Sequence, residues 1–330
     1  MNIKSKNVLV TGGAGFIGIN LVQNLLSEGF KVTILDLESA NFSSVPKKVG
    51  IIKANILDKK SFADKLKNFD IIFHLAARTD LDGKVLSDYK VNYVGTENII
   101  EEIKNQQVQR FVLYSTQLVV GLTNQRKFLN ETEPYTTKTF YGQSKIMAEK
   151  KVVDLCNKYK LPYTIIRPTS VYGPFGKQPY RDFFLAIKRG KYFHIGKADN
   201  LVSMVFVKNL TYLTIQLSTN KLARNQIFYG NDLYPYTMNQ FATEVSKYFN
   251  VKVRTIPTII ATIAAYFLGV LKIFGFDPPL YPSRVKNIKA TYCYDMTKAI
   301  KLGYNPKYDL ASSMRLTLDW YKDNDSSYQL

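Results

Sequence analysis

Val8-Leu9-Val10-Thr11-Gly12-Gly13-Ala14-Gly15-Phe16-Ile17-Gly18 decides the fold of this 330-residue chain. A short apolar run ends in a glycine-rich turn and passes directly into a helical pattern, Ile17–Glu28. The three spaced glycines have separate tasks: Gly12 allows the tight turn, Gly15 lets backbone N–H groups approach a pyrophosphate, and Gly18 lets helix and strand pack closely. The N-terminus of the following helix adds partial positive charge for that pyrophosphate. Asp36 ends the second strand candidate, 18 residues past Gly18. A carboxylate there hydrogen-bonds two ribose hydroxyls and repels a 2′-phosphate, so NAD is expected rather than NADP. No Gly-Lys-Ser/Thr follows the glycines, which excludes a phosphate-loop ATPase.

Outward from this unit the pattern repeats. Val8–Thr11, Val32–Leu35, Ile51–Lys53, Ile71–His74, Phe111–Ser115 and Tyr163–Arg167 are short, β-branched or aromatic and almost continuously apolar, as strands buried on both faces are. Helical stretches Ile17–Glu28, Val91–Asn105 and Gly142–Tyr159 lie between them. The expected fold class is α/β, a doubly wound parallel sheet with helices on both faces. After Gly173 the chain has more Gly, Pro and Tyr and a mixed period. We therefore expect a cofactor domain over 1–170 and a smaller mixed α/β substrate domain over 171–330, with segments around 204–230 returning to the first. The polar end, Asp323–Leu330, is expected to fray.

Composition narrows the partners. Hydrophobic residues make up 46% and charged residues 22%, an ordinary globular balance. The net charge of +19 is unevenly spread: the first 150 residues carry +5 and the remainder +14. Such an excess suits nucleic acid, an anionic lipid surface or a phosphorylated substrate. No nucleic-acid recognition module is present, which leaves the other two. The apolar run Val8–Val10 is too short for a secretory signal. Cys156 and Cys293 are the only cysteines and His74 and His194 the only histidines, so neither a disulfide framework nor a metal site is expected, and the compartment read from this is the cytoplasm.

One segment complicates that picture. Thr255–Leu271 holds 17 uncharged residues, just short of a membrane span. As a helix it sorts into a bulky stripe, Ile259, Ile263, Tyr266, Phe267, Val270 and Phe274, and a small face, Thr258, Ala261, Thr262, Ala265, Gly269 and Lys272. Two readings stand. One is a helix packed on the core of the second domain. The other is an interfacial helix at the inner face of the cytoplasmic membrane, with Lys252, Arg254, Lys272, Arg284, Lys286 and Lys289 meeting anionic headgroups.

Tyr141 and Lys145 form a Y-x-x-x-K pair on one helical face. An ammonium beside a phenol stabilises the phenolate, which is expected to lower a pKa that starts near ~10. The phenolate then removes a proton from a substrate hydroxyl while the nicotinamide takes hydride from the same carbon. Ser115-Thr116 ends a core strand 25 residues earlier and offers a hydroxyl to the same substrate oxygen.

TGGAGFIG at 11–18, His74-Leu75-Ala76-Ala77, YSTQLVVG at 114–121, YGQSK at 141–145 and RPTSVYGP at 167–174 together resemble the extended short-chain dehydrogenase/reductases, the NAD-dependent epimerase/dehydratase family. The resemblance covers almost the whole chain, including KAIKLGYNP at 298–306 and Leu318-Asp319-Trp320. It implies a Rossmann-type domain, Tyr141 as general acid/base, Lys145 on the cofactor ribose and Thr116 on the substrate hydroxyl. Cofactor contacts are implied at Gly12, Gly15, Phe16, Ile17, Gly18, Asp36, Asn55, Ile56, Leu75, Ala76, Ala77 and Pro168. The family usually has Asp where Asn55 stands, and Val120 replaces the Tyr usual in its V-Y-G segment. His74 reads as structural. A homodimer through the long helices, including the one with Tyr141, is also implied.

Three reactions share this arrangement. Dehydratases of the family place an acidic pair after the Ser/Thr, where this chain has Gln117-Leu118, so dehydration is not expected. NLVSMVFVKNL at 200–210, the apolar helix and SRVKNIKATYCYD at 283–295 resemble sugar 4-epimerases of bacterial surface-polysaccharide and O-antigen pathways, some of which act on undecaprenyl-diphosphate sugars. Epimerisation of a diphosphate-linked hexose or N-acetylhexosamine, on a nucleotide or polyprenyl carrier, is the leading expectation. A keto-sugar reductase or 3β-hydroxysteroid-like dehydrogenase is the alternative, and a dinucleotide-sensing regulator a third. Nucleotide-sugar members carry an arginine for the diphosphate where this chain has Leu201-Val202-Ser203. Arg78, Ser170, Arg181 and Arg284 are the candidate substrate contacts, with Lys177 and Lys286 as further cations.

Overall fold

The computed structural model describes residues 6–120, 128–271, 291 and 293–328. Seven parallel strands form the central sheet: β1 Asn7–Thr11, β2 Lys31–Asp36, β3 Gly50–Lys53, β4 Ile71–His74, β5 Arg110–Tyr114, β6 Tyr163–Pro168 and β7 Gln226–Gly230. Their spatial order is β7-β6-β5-β4-β1-β2-β3. The order reverses between β1 and β4, so a crevice opens at their C-terminal ends, the place where doubly wound sheets bind ligands. The Rossmann-type sheet expected from the sequence is the one observed, and each expected strand is found within a residue or two of its range.

Alternation along each strand builds two cores. Val8, Val10 and Phe73 face helix α1 (Phe16–Ser27) and a later helix over Val207–Thr219. Leu9, Ile72, Phe111 and Leu113 face α2 (Thr96–Ile103) and α3 (Phe140–Lys158). With both faces covered, the central strands are largely apolar. The Val91–Asn105 stretch is not one regular helix, because a π-helical turn over Val91–Gly95 precedes α2. Strand β7 lies at the sheet edge, so the chain returns to the cofactor layer after crossing to the other half.

The remaining described residues gather around an aromatic-rich core of Tyr172, Phe184, Phe206, Phe241 and Tyr321. Short strand pairs stitch it: Ser170–Tyr172 with Met204–Phe206, Leu201–Val202 with Tyr236–Thr237, and Phe193–Ile195 with Arg254–Ile256. Part of the chain's end is not frayed. Tyr328 is buried and stacks on Tyr321 at 4.8 Å, while Asp325 and Ser327 accept hydrogen bonds from Arg181. The aromatic ring, rather than the polar residues around it, decides the fate of this segment.

The apolar stretch forms α4, Thr258–Leu271. At ~1.5 Å per residue it is about 21 Å long. Among the described residues no helix is long and apolar enough to cross a membrane. Its small face makes the packing contact, with Ala261 and Ala265 buried against Ile195 and Ile256, while Ile259, Ile263, Tyr266 and Phe267 face outward. Small residues let the helix backbone sit close to the short strand pair, which leaves the large side chains no inward direction.

Candidate active site

The glycine loop connects β1 to α1 at the crevice. Gly12 has φ +71°, and a Cβ there would lie 2.7 Å from the backbone nitrogen of Ala76. A Cβ on Gly18 would lie 2.2 Å from the Gly12 carbonyl oxygen. Both positions therefore exclude side chains. Gly15 caps α1 without any side-chain hydrogen bond, and no acidic residue occupies the first turn. The helix end thus presents backbone donors and partial positive charge toward the crevice. Asp36 stands beside the loop, where its Oδ2 accepts from the Ala14 N–H at 2.9 Å and its Oδ1 from Leu37 at 2.9 Å.

Asn55 and Ile56 differ in character. Asn55 is exposed, and its Oδ1 accepts from the Leu57 N–H in a local turn. Ile56 is buried, and its carbonyl accepts from Asn98 at 2.9 Å. Leu75, Ala76 and Ala77 follow β4 at the crevice, half-buried. Pro168 ends β6 opposite Gly230 of β7.

His74 links these pieces. Thr96 Oγ1 donates to the Asn92 carbonyl at 2.6 Å, so it accepts from the His74 Nε2–H at 2.9 Å. The His74 Nδ1 then accepts from Thr11 Oγ1 at 2.8 Å, and Thr11 in turn accepts from the Ala76 N–H at 3.2 Å. Burial, with the Lys145 charge second, drops the His74 pKa to about 3. The imidazole is therefore a neutral brace, in agreement with its structural reading.

Helix α3, which carries the candidate pair Tyr141 and Lys145, begins beside this brace. The Thr139 side chain caps α3 through the Gly142 N–H. Tyr141, Lys145 and Glu149 then recur at four-residue intervals on one face, all buried. Thr116 lies beside the Tyr141 phenol, and its Oγ1 accepts from the Leu118 N–H at 3.2 Å. Lys145 Nζ donates to the Tyr114 carbonyl at 2.9 Å. Burial pushes the Tyr141 phenol up to about 12, opposed by the Thr116 side chain. Burial lowers Lys145 to about 8, opposed by Glu149. The expected lowering of the phenol is absent because desolvation outweighs the nearby donor.

Three residues of this site escaped the sequence reading. Glu149 accepts from Ser115 Oγ at 2.5 Å, Tyr135 at 2.8 Å, and both Arg167 Nε at 2.9 Å and a second Arg167 nitrogen at 2.7 Å. This wholly buried pair ties α3 to the ends of β5 and β6. Asn92 sits in the π-helical turn and donates to Ser144 Oγ at 2.9 Å, which in turn donates to the Tyr141 carbonyl. Such turns concentrate at functional sites, and the four-residue spacing of Tyr141, Lys145 and Glu149 was the available signal for Glu149.

The substrate candidates scatter. Arg78 is held by Asp80 at 2.8 Å and lies over the Tyr89 ring, which itself stands 6.1 Å from Tyr141. Arg181 is committed to Asp325 at 2.6 Å. Ser170 hydrogen-bonds Tyr180, and Lys177 is exposed. Ser203 is buried and accepts from the Tyr294 N–H, so no cation stands at that strand. Arg284 and Lys286 lie outside the described residues.

A model of the NAD dependent epimerase/dehydratase family matches residues 8–213. The chain belongs to this family. Its cofactor is NAD, and the open helix end, the side-chain-free glycine positions and Asp36 fit that dinucleotide. An epimerase of Escherichia coli O157:H7, N-acetyl-alpha-D-glucosaminyl-diphospho-ditrans,octacis-undecaprenol 4-epimerase, is 28% identical over 95% of this chain and 95% of its own length. The 3-beta-hydroxysteroid dehydrogenase of Mycolicibacterium neoaurum is 29% identical over 96% and 91%. Among solved structures, UDP-glucose 4-epimerase of Thermotoga maritima with UDP-glucose superposes with TM-score 0.77 at 24% identity, covering 96% of this chain and 99% of that one. The UDP-glucose 4-epimerase of Thermus thermophilus, complexed with NAD, gives 0.76 at 22%, with the same coverage. These family members share the extended short-chain dehydrogenase/reductase fold.

Proposed function

We propose that the chain is an NAD-dependent C4 epimerase of a diphosphate-linked hexose or N-acetylhexosamine in bacterial surface-polysaccharide biosynthesis. The observation that carries this reading is the buried Tyr141–Lys145–Glu149 face with Thr116 beside the Tyr141 phenol, with Gln117-Leu118 where a dehydratase needs acids. The Escherichia coli relative supports the sugar class.

In this reading Gly12, Gly15, Phe16, Ile17 and Gly18 hold the pyrophosphate, and Asp36 holds the adenosine ribose. Asn55 and Ile56 border the adenine. Leu75, Ala76, Ala77 and Pro168 line the cofactor. NAD, when bound, would supply a reversible hydride acceptor. Thr116 orients the sugar O4, and Tyr141 takes its proton as the C4 hydride leaves. Lys145 holds the nicotinamide ribose and keeps positive charge near the phenol. With the hydride chemistry that NAD would supply, a 4-keto sugar that has turned over would be reduced on its other face, while Tyr141 gives the proton back to O4. The proton and hydride both return, so the reaction is redox-neutral.

The carrier is nucleotide or polyprenyl. Arg78 and Ser170 line the substrate side, and Arg181 and Arg284 remain the cations assigned to the diphosphate; Arg181 reaches it only by leaving Asp325. The enzyme acts as a homodimer in the cytoplasm. Purified protein, shown to retain NAD, is incubated with UDP-hexoses, UDP-N-acetylhexosamines and undecaprenyl-diphosphate N-acetylglucosamine. C4 inversion without net NADH formation is expected from one of them. Absence of inversion in all of them overturns the reading. The Mycolicibacterium relative favours a second one, an alcohol dehydrogenase, which would instead form NADH in proportion to product.

A further inference from the structure

Helix α4 turns its apolar face away from the protein. Ile259 is 74% exposed, Tyr266 65% and Phe267 77%, with Ile260 and Ile263 also more than half exposed. These residues lie within a helix of 14 residues whose opposite face, Ala261 and Ala265, makes the contact with the protein. Scattered exposed leucines need no explanation, but five large apolar side chains on a single helix face do. Phe193, also exposed, lies beside the same unit, paired in register with Arg254 on the strand that leads into α4.

The surroundings are basic. Lys191, Lys197, Lys252 and Arg254 are exposed on the two strands and loops that carry the helix, and no acidic residue occurs between 251 and 271. We propose that the outward face of α4 docks on an anionic lipid bilayer, lying in the interface rather than crossing it. The described part of the helix, about 21 Å, is shorter than the ~30 Å hydrocarbon core. Its length and sidedness suit a helix whose apolar side chains enter the acyl boundary while cations stay at the headgroups. Tyr266 and Phe267 are the side-chain types that settle at that boundary.

Charge decides between this occupant and a second copy of the chain. A two-fold dimer through the same face brings each basic rim close to its own image, and like charges across an interface are repulsive. The negative potential of a bilayer surface neutralises the rim instead. The proposal does not rest on the epimerase reading, because it concerns where the protein sits and not what it converts.

The test is flotation of the full chain, with NAD, on vesicles of phosphatidylcholine alone and of phosphatidylcholine with an equal part of phosphatidylglycerol. Binding to the anionic vesicles is expected to be at least ~10-fold stronger than to the neutral ones and to weaken as salt rises. A Lys252→Glu/Arg254→Glu pair should lose the salt-sensitive part. An Ile263→Gln/Phe267→Gln pair should abolish flotation, with circular dichroism and the NAD content unchanged because both side chains are exposed. No binding of the wild type to anionic vesicles at low salt overturns the proposal. Undiminished binding of the Ile263→Gln/Phe267→Gln protein overturns it equally. Sedimentation of each protein gives the remaining outcome: a dimer that the Gln pair dissociates, in a protein that does not float, assigns the face to a second copy. None of these readouts requires enzymatic activity, so the two hypotheses fail separately.

Discussion

Helices α3 and α4 invert the usual relation between chemistry and burial in opposite directions. Helix α3 is rich in polar residues and buries Tyr141, Ser144, Lys145 and Glu149. Helix α4 carries no charge among its residues and exposes Ile259, Tyr266 and Phe267. Buried charge costs free energy unless it is paired and hydrogen-bonded, and α3 meets that condition through Arg167, Ser115, Tyr135 and the Tyr114 carbonyl. Exposed apolar surface costs free energy unless something covers it, and among the described residues nothing covers Ile259, Tyr266 and Phe267 of α4. Local rules broken without an internal remedy point to an external one, and those broken with a remedy point to chemistry.

The sharpest test of the α3 half is Tyr141→Phe. Removal of the proton carrier should lower turnover roughly 10²- to 10⁴-fold, with NAD content and melting behaviour unchanged; a variant of near-normal activity would break the assignment. Next is Glu149→Ala, which leaves the Arg167 guanidinium buried without its partner. Broken buried pairs typically cost about 3–5 kcal/mol, to be read from the denaturant midpoint. A loss below about 1 kcal/mol would mean that the pair is not the remedy described.

Lys145 gives the pH arm. Its pKa falls from 10.5 unfolded to about 8 folded, so the unfolded chain binds more protons between those values and stability rises with pH there. The contribution is complete above the unfolded pKa and is lost as pH falls through about 8. Between about pH 8 and pH 9.5, wild type should gain about 2 kcal/mol relative to Lys145→Met. Parallel pH curves would break the claim. The smallest effects test α4. Ala265→Leu forces volume into the contact with Ile195 and Ile256 and should cost about 1–3 kcal/mol. Phe267→Gln should stay within about 0.5 kcal/mol of wild type. The reverse ranking in thermal unfolding would mean that the helix is turned the other way.

Legibility follows the range of the interaction. The inner strands of the sheet are readable because two covered faces demand an apolar run, and the crevice is readable because a pyrophosphate demands glycines at set spacing. Tyr141 and Lys145 are readable because one helical face sets their separation. Glu149 shares that spacing, yet its meaning depends on Arg167, 18 positions later and on another element. Asn92 looks like any helical residue until the π-helical turn directs it at Ser144. Arg181 reads as a free cation, and Asp325 is what occupies it.

The sequence by itself therefore determined the α/β class, the glycine loop, the preference for NAD and the shared helical face of Tyr141 and Lys145, because each is a local pattern with one physical explanation. Tertiary structure decided which charges are paired, how His74 is braced, that Tyr328 is buried, and which face of α4 meets solvent. A periodic pattern defines two faces of a helix but not which one points inward. In α4 the close approach of Ala261 and Ala265 to Ile195 made that choice, and it turned Ile259, Ile263, Tyr266 and Phe267 outward.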